Sequence, residues 1–155
     1  MRLFGVWLIG SLALAPLSRL YSQRSAASFA SLSDSGTLDG IQLRLSTFVW
    51  RDFMPITPPN GTPLMVQLII AANDSGALPR GIHADSAWVV NGALVWATRP
   101  TNEPRPPGPP TTIMLREGPK WGPGTTVDVI VRLRDAQGGA AVLLRAVRQP
   151  IQRSD

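Results

Sequence analysis

The side chains that could do chemistry are few and widely spaced. His83 is the one histidine of the 155 residues and there is no cysteine, which excludes multi-histidine and thiolate metal sites. His83 stands two residues before Asp85 and could form half of a general-base pair, although a solvated loop histidine gives the same pattern. Asp74, Asp85, Asp128 and Asp135 could meet at one end of a sheet domain and offer calcium its oxygen ligands, but they lack the regular acidic spacing of a calcium loop. Gly-x-Ser-x-Gly, the phosphate-binding loop and Gly-x-Gly-x-x-Gly are all missing. The expectation is a chain with no catalytic residue, no metal and no cofactor.

Two other groups are suited to contact. Phe48, Trp50, Phe53, Trp88, Trp96 and Trp121 exceed what one small core encloses, and an exposed indole is a common anchor for a sugar ring or a protein partner. Trp50, Trp96 and Trp121 are the candidates for binding, and cover by proline-rich loops is the competing reading. Arg132, Arg134 and Arg145 fall on the outer face of the last two strands, where they form a modest basic patch. A solvated sheet face, with arginine stems lying over apolar neighbours, is the simpler account of them. Ile130 on that same face is out of place in water and marks a contact surface.

The formal charge of +5 and the isoelectric point near 11.2 invite a nucleic-acid reading, since clustered cations neutralise phosphates. Distribution argues against it. Arg2, Arg19 and Arg24 belong to the leader described below, which leaves twelve of the fifteen basic residues against ten acidic ones, spread along the chain. All basic residues except Lys120 are arginine, in a chain rich in Ala, Gly and Pro, as coding bias of a GC-rich genome produces. Charged residues at 16% and hydrophobic residues at 44% describe a chain that folds.

Residues 1–30 read as an export signal. Arg2 supplies the positive start, Leu3 to Ala15 is apolar, and Pro16 ends the run, which is shorter than the about 20 residues of a comfortable membrane span. Ala13-Leu14-Ala15 has the small-x-small form of a cleavage site but precedes Pro16. Ser25-Ala26-Ala27 and Ser28-Phe29-Ala30 are better candidates; without cleavage the segment is an N-terminal membrane anchor. Residues 31–40 are small and polar, a spacer with little to bury. The domain then occupies 41–152.

Ile41, Leu43 and Leu45 alternate with polar residues as a half-buried strand, and the phase becomes uncertain after Thr47. Residues 54–63 hold Pro55, Pro58, Pro59 and Pro63 around Asn60-Gly61, a turn-rich crossing. Leu64 to Ala72 suits a central strand covered on both faces. Asn91-Gly92 predicts a two-residue type I′ hairpin that sets Trp88 opposite Val95 and Ala87 opposite Trp96, with the tryptophans on opposite faces. Residues 99–112 form a polyproline-like loop, Thr111 to Arg116 a short strand, and Glu117 to Gly124 a turn around Trp121. Two last strands, Thr125 to Asp135 and Ala140 to Pro150, flank a Gln137-Gly138-Gly139 turn, with Val127, Val129, Val131 and Leu133 on one face. The sum is an all-β antiparallel sandwich of about seven strands behind an N-terminal signal helix.

Gly122-Pro123-Gly124-Thr125 leading into Val127, Val129 and Val131, followed by a glycine turn and a last strand, resembles the closing half of fibronectin type III and other immunoglobulin-like domains. That resemblance implies an immunoglobulin-like β-sandwich and leaves the function open. The expected role is an exported, periplasmic or extracellular bacterial binding module, not an enzyme, whose partner is another protein or a cell-envelope polysaccharide and not nucleic acid. The alternatives are an inhibitor of secreted proteases that inserts the 99–112 loop, and a carbohydrate-binding module using its tryptophans.

Overall fold

The computed structural model describes residues 26–72, 76, 78–100 and 110–155. The signal helix expected within 1–30 therefore lies outside the described residues up to Ser25, as do Asp74 and the centre of the proline-rich loop, 101–109. The fold is all-β, as expected. Its strands are β1 Ser35–Leu38, β2 Ile41–Asp52, β3 Leu64–Ala72, β4 His83–Asn91, β5 Leu94–Thr98, β6 Thr111–Gly118, β7 Thr126–Arg134 and β8 Ala141–Ser154, after a 3-10 turn at Ala26–Phe29.

Alternation decides which side chains meet. Val127, Val129, Val131 and Leu133 of β7 are all buried, as the period-2 pattern requires. In β2 the phase runs unbroken through Thr47, so Leu43, Leu45, Val49 and Arg51 all turn inward. In β3 only the inward set, Leu64, Val66, Leu68, Ile70 and Ala72, is buried; Met65, Gln67, Ile69 and Ala71 are half-buried on the outside. The expected cover on both faces is thus present on one.

The strands form one hydrogen-bonded path, β5-β4-β7-β8-β2-β3-β6, with β1 paired to the start of β2. Two separately stacked sheets were the expectation. Instead β8 belongs to both limbs: it runs antiparallel to β7 from Ala141 to Pro150, then parallel to β2 from Ile151 to Ser154. The change of partner falls at a bulge, where the register with β7 shifts between Val127 and Val129 and Arg148 takes φ 53°. Pro150 does not end the strand. It stands where β8 is leaving β7, a position at which a missing ladder donor is tolerated.

The sheet curls so far that a side chain of one edge reaches the other. Trp96 of edge strand β5 leans on Gly118 of edge strand β6, where a Cβ would lie 2.7 Å from the indole Cζ3 and 2.8 Å from Leu64 Cβ. Between the limbs lies one aliphatic core drawn from β1 to β4 and β6 to β8. A second, smaller cluster sits on the other face of β4 and β7, where Trp88, Val90 and Ile130 are covered by Phe29.

Two local expectations need correction. The hairpin pairs Asn91 with Leu94, Val89 with Trp96 and Trp88 with Ala97, so its loop is Gly92-Ala93, one residue later than predicted. Gly92 has φ 58° while Asn91 and Ala93 do not have positive φ, which is the backbone of a II′ turn and not of I′. The two tryptophans still occupy opposite faces, because the register moves by two. The polar spacer at 31–40 is also part of the domain: it contains β1, and Leu38 is buried in the main core.

The Trp96–Gly118 contact gives a direct test of the curl. Gly118→Val should lower the urea midpoint by the equivalent of about 2 kcal/mol through overpacking. In a Trp96→Ala background the same change should cost distinctly less, since part of the clash is gone; equal costs in both backgrounds refute the contact.

Candidate functional site

The strongest local chemistry surrounds Arg51, which sequence reasoning passed over. It is 1% exposed and has no carboxylate partner among the described residues. Its Nε donates to Thr62 O at 2.8 Å, Nη1 to Lys120 O at 3.3 Å and Trp121 O at 3.1 Å, and Nη2 to Asn60 O. The guanidinium also lies 4.9 Å from the centre of the Phe53 ring. A buried cation is tolerated when its fork of donors is satisfied, and here backbone carbonyls from two loops satisfy it. Burial lowers the Arg51 pKa from its usual value, yet an arginine stays protonated under any ordinary condition.

What Arg51 braces is the loop between β2 and β3. Asp52 N donates to Thr62 Oγ1 and Thr62 N to Asp52 O, both at 2.9 Å. Inside the loop Met54 N reaches Asp52 Oδ1 at 3.0 Å, and Thr57 N and Oγ1 reach Met54 O at 2.8 and 2.7 Å. Asn60 and Gly61 both take positive φ, 70° and 71°, and a Cβ at Gly61 would meet Asp52 O and the Phe53 ring at 2.8 Å. Four prolines remove further freedom. The tip held on this base is apolar: Ile56 is 93% exposed, and Met54 is also exposed.

The same strand carries aromatic residues outward. Phe48, 46% exposed, has its ring centre 5.2 Å from that of Trp50. Across the sheet Phe48 is level with Gln67 and Met114, Trp50 with Met65, and Ser46 with Ile69 and Thr112. The outer face of β2, β3 and β6 is therefore half apolar, with charge toward its margins at Arg44, Asp52, Arg116 and the exposed Glu117 of the β6 bulge.

The predicted tryptophans do not form one site. Trp50 belongs to the outer face just described, whereas Trp96 and Trp121 are half-buried against the main core. Arg132 and Arg134 do converge, but on Asp85: each Nε donates to a different carboxylate oxygen at 2.6 Å. Arg132 also reaches Ser86 Oγ at 2.9 Å, and Arg134 reaches Gly138 O at 3.2 Å. Arg145 pairs separately, with Asp128 Oδ2 at 2.6 Å. Both Asp85 oxygens are thus engaged by arginines and not by His83. Burial pushes the Asp85 carboxyl up, and the hydrogen bonds from Arg132 and Arg134, the charge of Arg132 and the Ser86 hydroxyl outweigh it, so its pKa lies below the ordinary value. Ile130, flagged as misplaced on a wet face, is a contact surface for the chain's own Phe29.

Among the described residues no three His, Asp or Glu side chains are placed to hold a metal ion, and no helix is long and apolar enough to cross a membrane. An open cleft of about 460 Å³ between residues 32–34, β2 and β8 is bridged by its own groups, Thr47 Oγ1 donating to Gln149 Oε1 at 2.9 Å. Compared with known protein families, curated proteins and solved structures, the chain matches none.

Two measurements check these assignments. Arg51→Lys keeps the charge but loses the fork, and hydrogen bonds to a charged group contribute about 1.5 to 3 kcal/mol each; unfolding free energy should fall by about 3 kcal/mol, with proteolytic nicking appearing within 54–63. Because the folded Asp85 pKa is depressed, its contribution is present above the unfolded value of about 3.9 and is lost as pH falls through the lower folded value. Asp85→Asn should therefore be less stable than the parent near pH 7, and the two melting temperatures should converge only as pH falls below about 3.9 through the lower folded value.

Proposed function

We propose that the chain is an exported, non-catalytic domain of immunoglobulin-like sandwich design that grips a protein partner through β2 and the loop following it. The sandwich reading is supported by the pairing. Counting from β2, the first, second and fifth strands share one limb and the third, fourth and sixth the other, which the seventh extends before it crosses to pair with the first. This is the immunoglobulin arrangement with its fourth strand moved to the opposite layer. Export is supported by the tripartite pattern of residues 1–30.

The observation that carries the binding reading is Ile56, exposed at the tip of a loop whose base is fixed by a buried arginine. Ordering a loop before binding removes the entropy that association otherwise costs. An aliphatic tip beside Met54, following a strand that carries Phe48 and Trp50 outward next to Met65 of β3 and Met114 of β6, has the aromatic and methionine content of a protein contact centre. A sugar site would draw on flanking amides, here Gln67 level with Phe48 and Gln152 level with Trp50, and the apolar Ile56 tip has no place in it. In the protease-inhibitor reading, where residues 99–112 are the expected inserted element, the braced, proline-rich loop at 54–63 is a second candidate, with Met54 to Thr57 entering the enzyme cleft.

A photo-crosslinking residue at position 56 should give one discrete protein adduct in cells, absent when the probe is moved to position 137 and lost on Phe48→Ser. With the probe placed at position 54 instead, Ile56→Asp should abolish the adduct while changing stability by less than about 0.5 kcal/mol. A saturable tryptophan shift with an envelope polysaccharide, lost in Trp50→Ala, would replace the protein by a glycan. Inhibition of a secreted protease that Ile56→Asp removes would select the inhibitor reading. No adduct and no glycan shift overturns the proposal.

A further inference from the structure

Residues 26–34 lie across the face of β4, β7 and β8 that points away from the main core, and they are built into it. Phe29 is 1% exposed, its ring centre 5.4 Å from that of Trp88 at a tilt of 43°. Beneath it Ile130 is fully buried, with Val90, Leu32 and Leu143 alongside. Arg145 Nη1 donates to Phe29 O and Ala30 O, both at 2.8 Å. Further along, Ser33 O accepts from Arg145 N and Asp34 O from Leu45 N, each at 2.7 Å, so the segment also supplies acceptors to β8 and β2.

This placement bears on the two small-x-small sequences at the end of the leader. A leader peptidase acts on an extended, unfolded chain, so both peptide bonds are reachable; they differ in what the domain keeps. Cutting after Ala30 removes Phe29, uncovers Trp88 and Ile130, takes both carbonyl acceptors from Arg145 Nη1, and leaves a new ammonium group at Ser31 close to that guanidinium. Cutting after Ala27 costs the contact of the Ala26 methyl with the cluster and one long turn bond, Ala30 N to Ala27 O at 3.3 Å. Ala27 and Ser28 are both exposed, and water replaces that turn acceptor.

We infer that the chain is processed between Ala27 and Ser28, at Ser25-Ala26-Ala27, and that Phe29 is the first core residue of the mature protein. The inference rests on the export reading. Ser28-Phe29-Ala30 resembles a cleavage site only in sequence, because its central residue is the plug of the second hydrophobic cluster.

The test is to express the full chain with its own leader in a bacterium, fractionate the cells, and take the intact mass and N-terminal sequence of the exported form. A mature chain beginning at Ser28 is expected. An exported chain beginning at Ser31, or anywhere other than Ser28, overturns the inference and leaves export standing. A full-length chain retained in the cytoplasm defeats the export reading and the inference with it. Ala27→Glu places a large charged residue beside the scissile bond at an exposed position, so the precursor should accumulate with its melting temperature unchanged; unaltered processing would overturn the inference. Phe29→Ala in the full chain should lower the melting temperature by about 10 °C, and no change there would remove its physical basis.

Discussion

A single strand that serves two limbs sets the terms for everything around it. β8 cannot continue straight from β7 to β2, so it must bend at residues 147–150, and every N–H and C=O left by the bend has to find a partner. The chain supplies them individually. Asp128 accepts from Arg148 N at 2.7 Å and pairs with Arg145. Gly124 N donates to Ile151 O and Ile151 N to Thr125 O. Above the bend, where β2 and β8 have parted, Ser33 and Asp34 fill the gap with their carbonyls. The N-terminal segment thus closes the seam between the limbs and also plugs the outer face beside it.

Arg51 solves the corresponding problem at the other end of that seam. It follows Val49 in the inward row of β2, where β2 and β8 pair in parallel, and it meets the turns that lead into β3 and into β7. Those turns carry carbonyls that no strand satisfies. One planar group with several donors takes four of them, which a set of apolar side chains could not do. The exposed Ile56 loop is firm because its foundation is the core of the domain, not because of contacts at its tip.

The parts of this fold that follow short-range rules were legible in the sequence. The inward row of β7, the final glycine turn and the opposite facing of Trp88 and Trp96 all follow from period and turn chemistry. β1 was also signalled, by Asp39-Gly40 between Leu38 and Ile41: both turn residues have positive φ, 50° and 76°, the I′ pair that the polar surroundings obscured. Arg51 was accessible by extending the alternation of Leu43 and Leu45 past Thr47, where three adjacent apolar residues blurred the phase. Ile130 gave a true signal of cover, but its partner lay a hundred residues earlier in a segment whose composition reads as leader. The pairing of Arg132 and Arg134 on Asp85, and the double membership of β8, are long-range outcomes that no local pattern carries.

The topology also orders events in time. β8 is synthesised after every strand it joins, and neither limb has its full set of neighbours until residues 141–154 have left the ribosome. Contacts this distant in sequence form slowly, because loop closure must precede the energy that rewards it. Until then the growing polypeptide has no complete sheet to collapse into, so the last fourteen residues of strand decide when two half-formed ribbons become one domain.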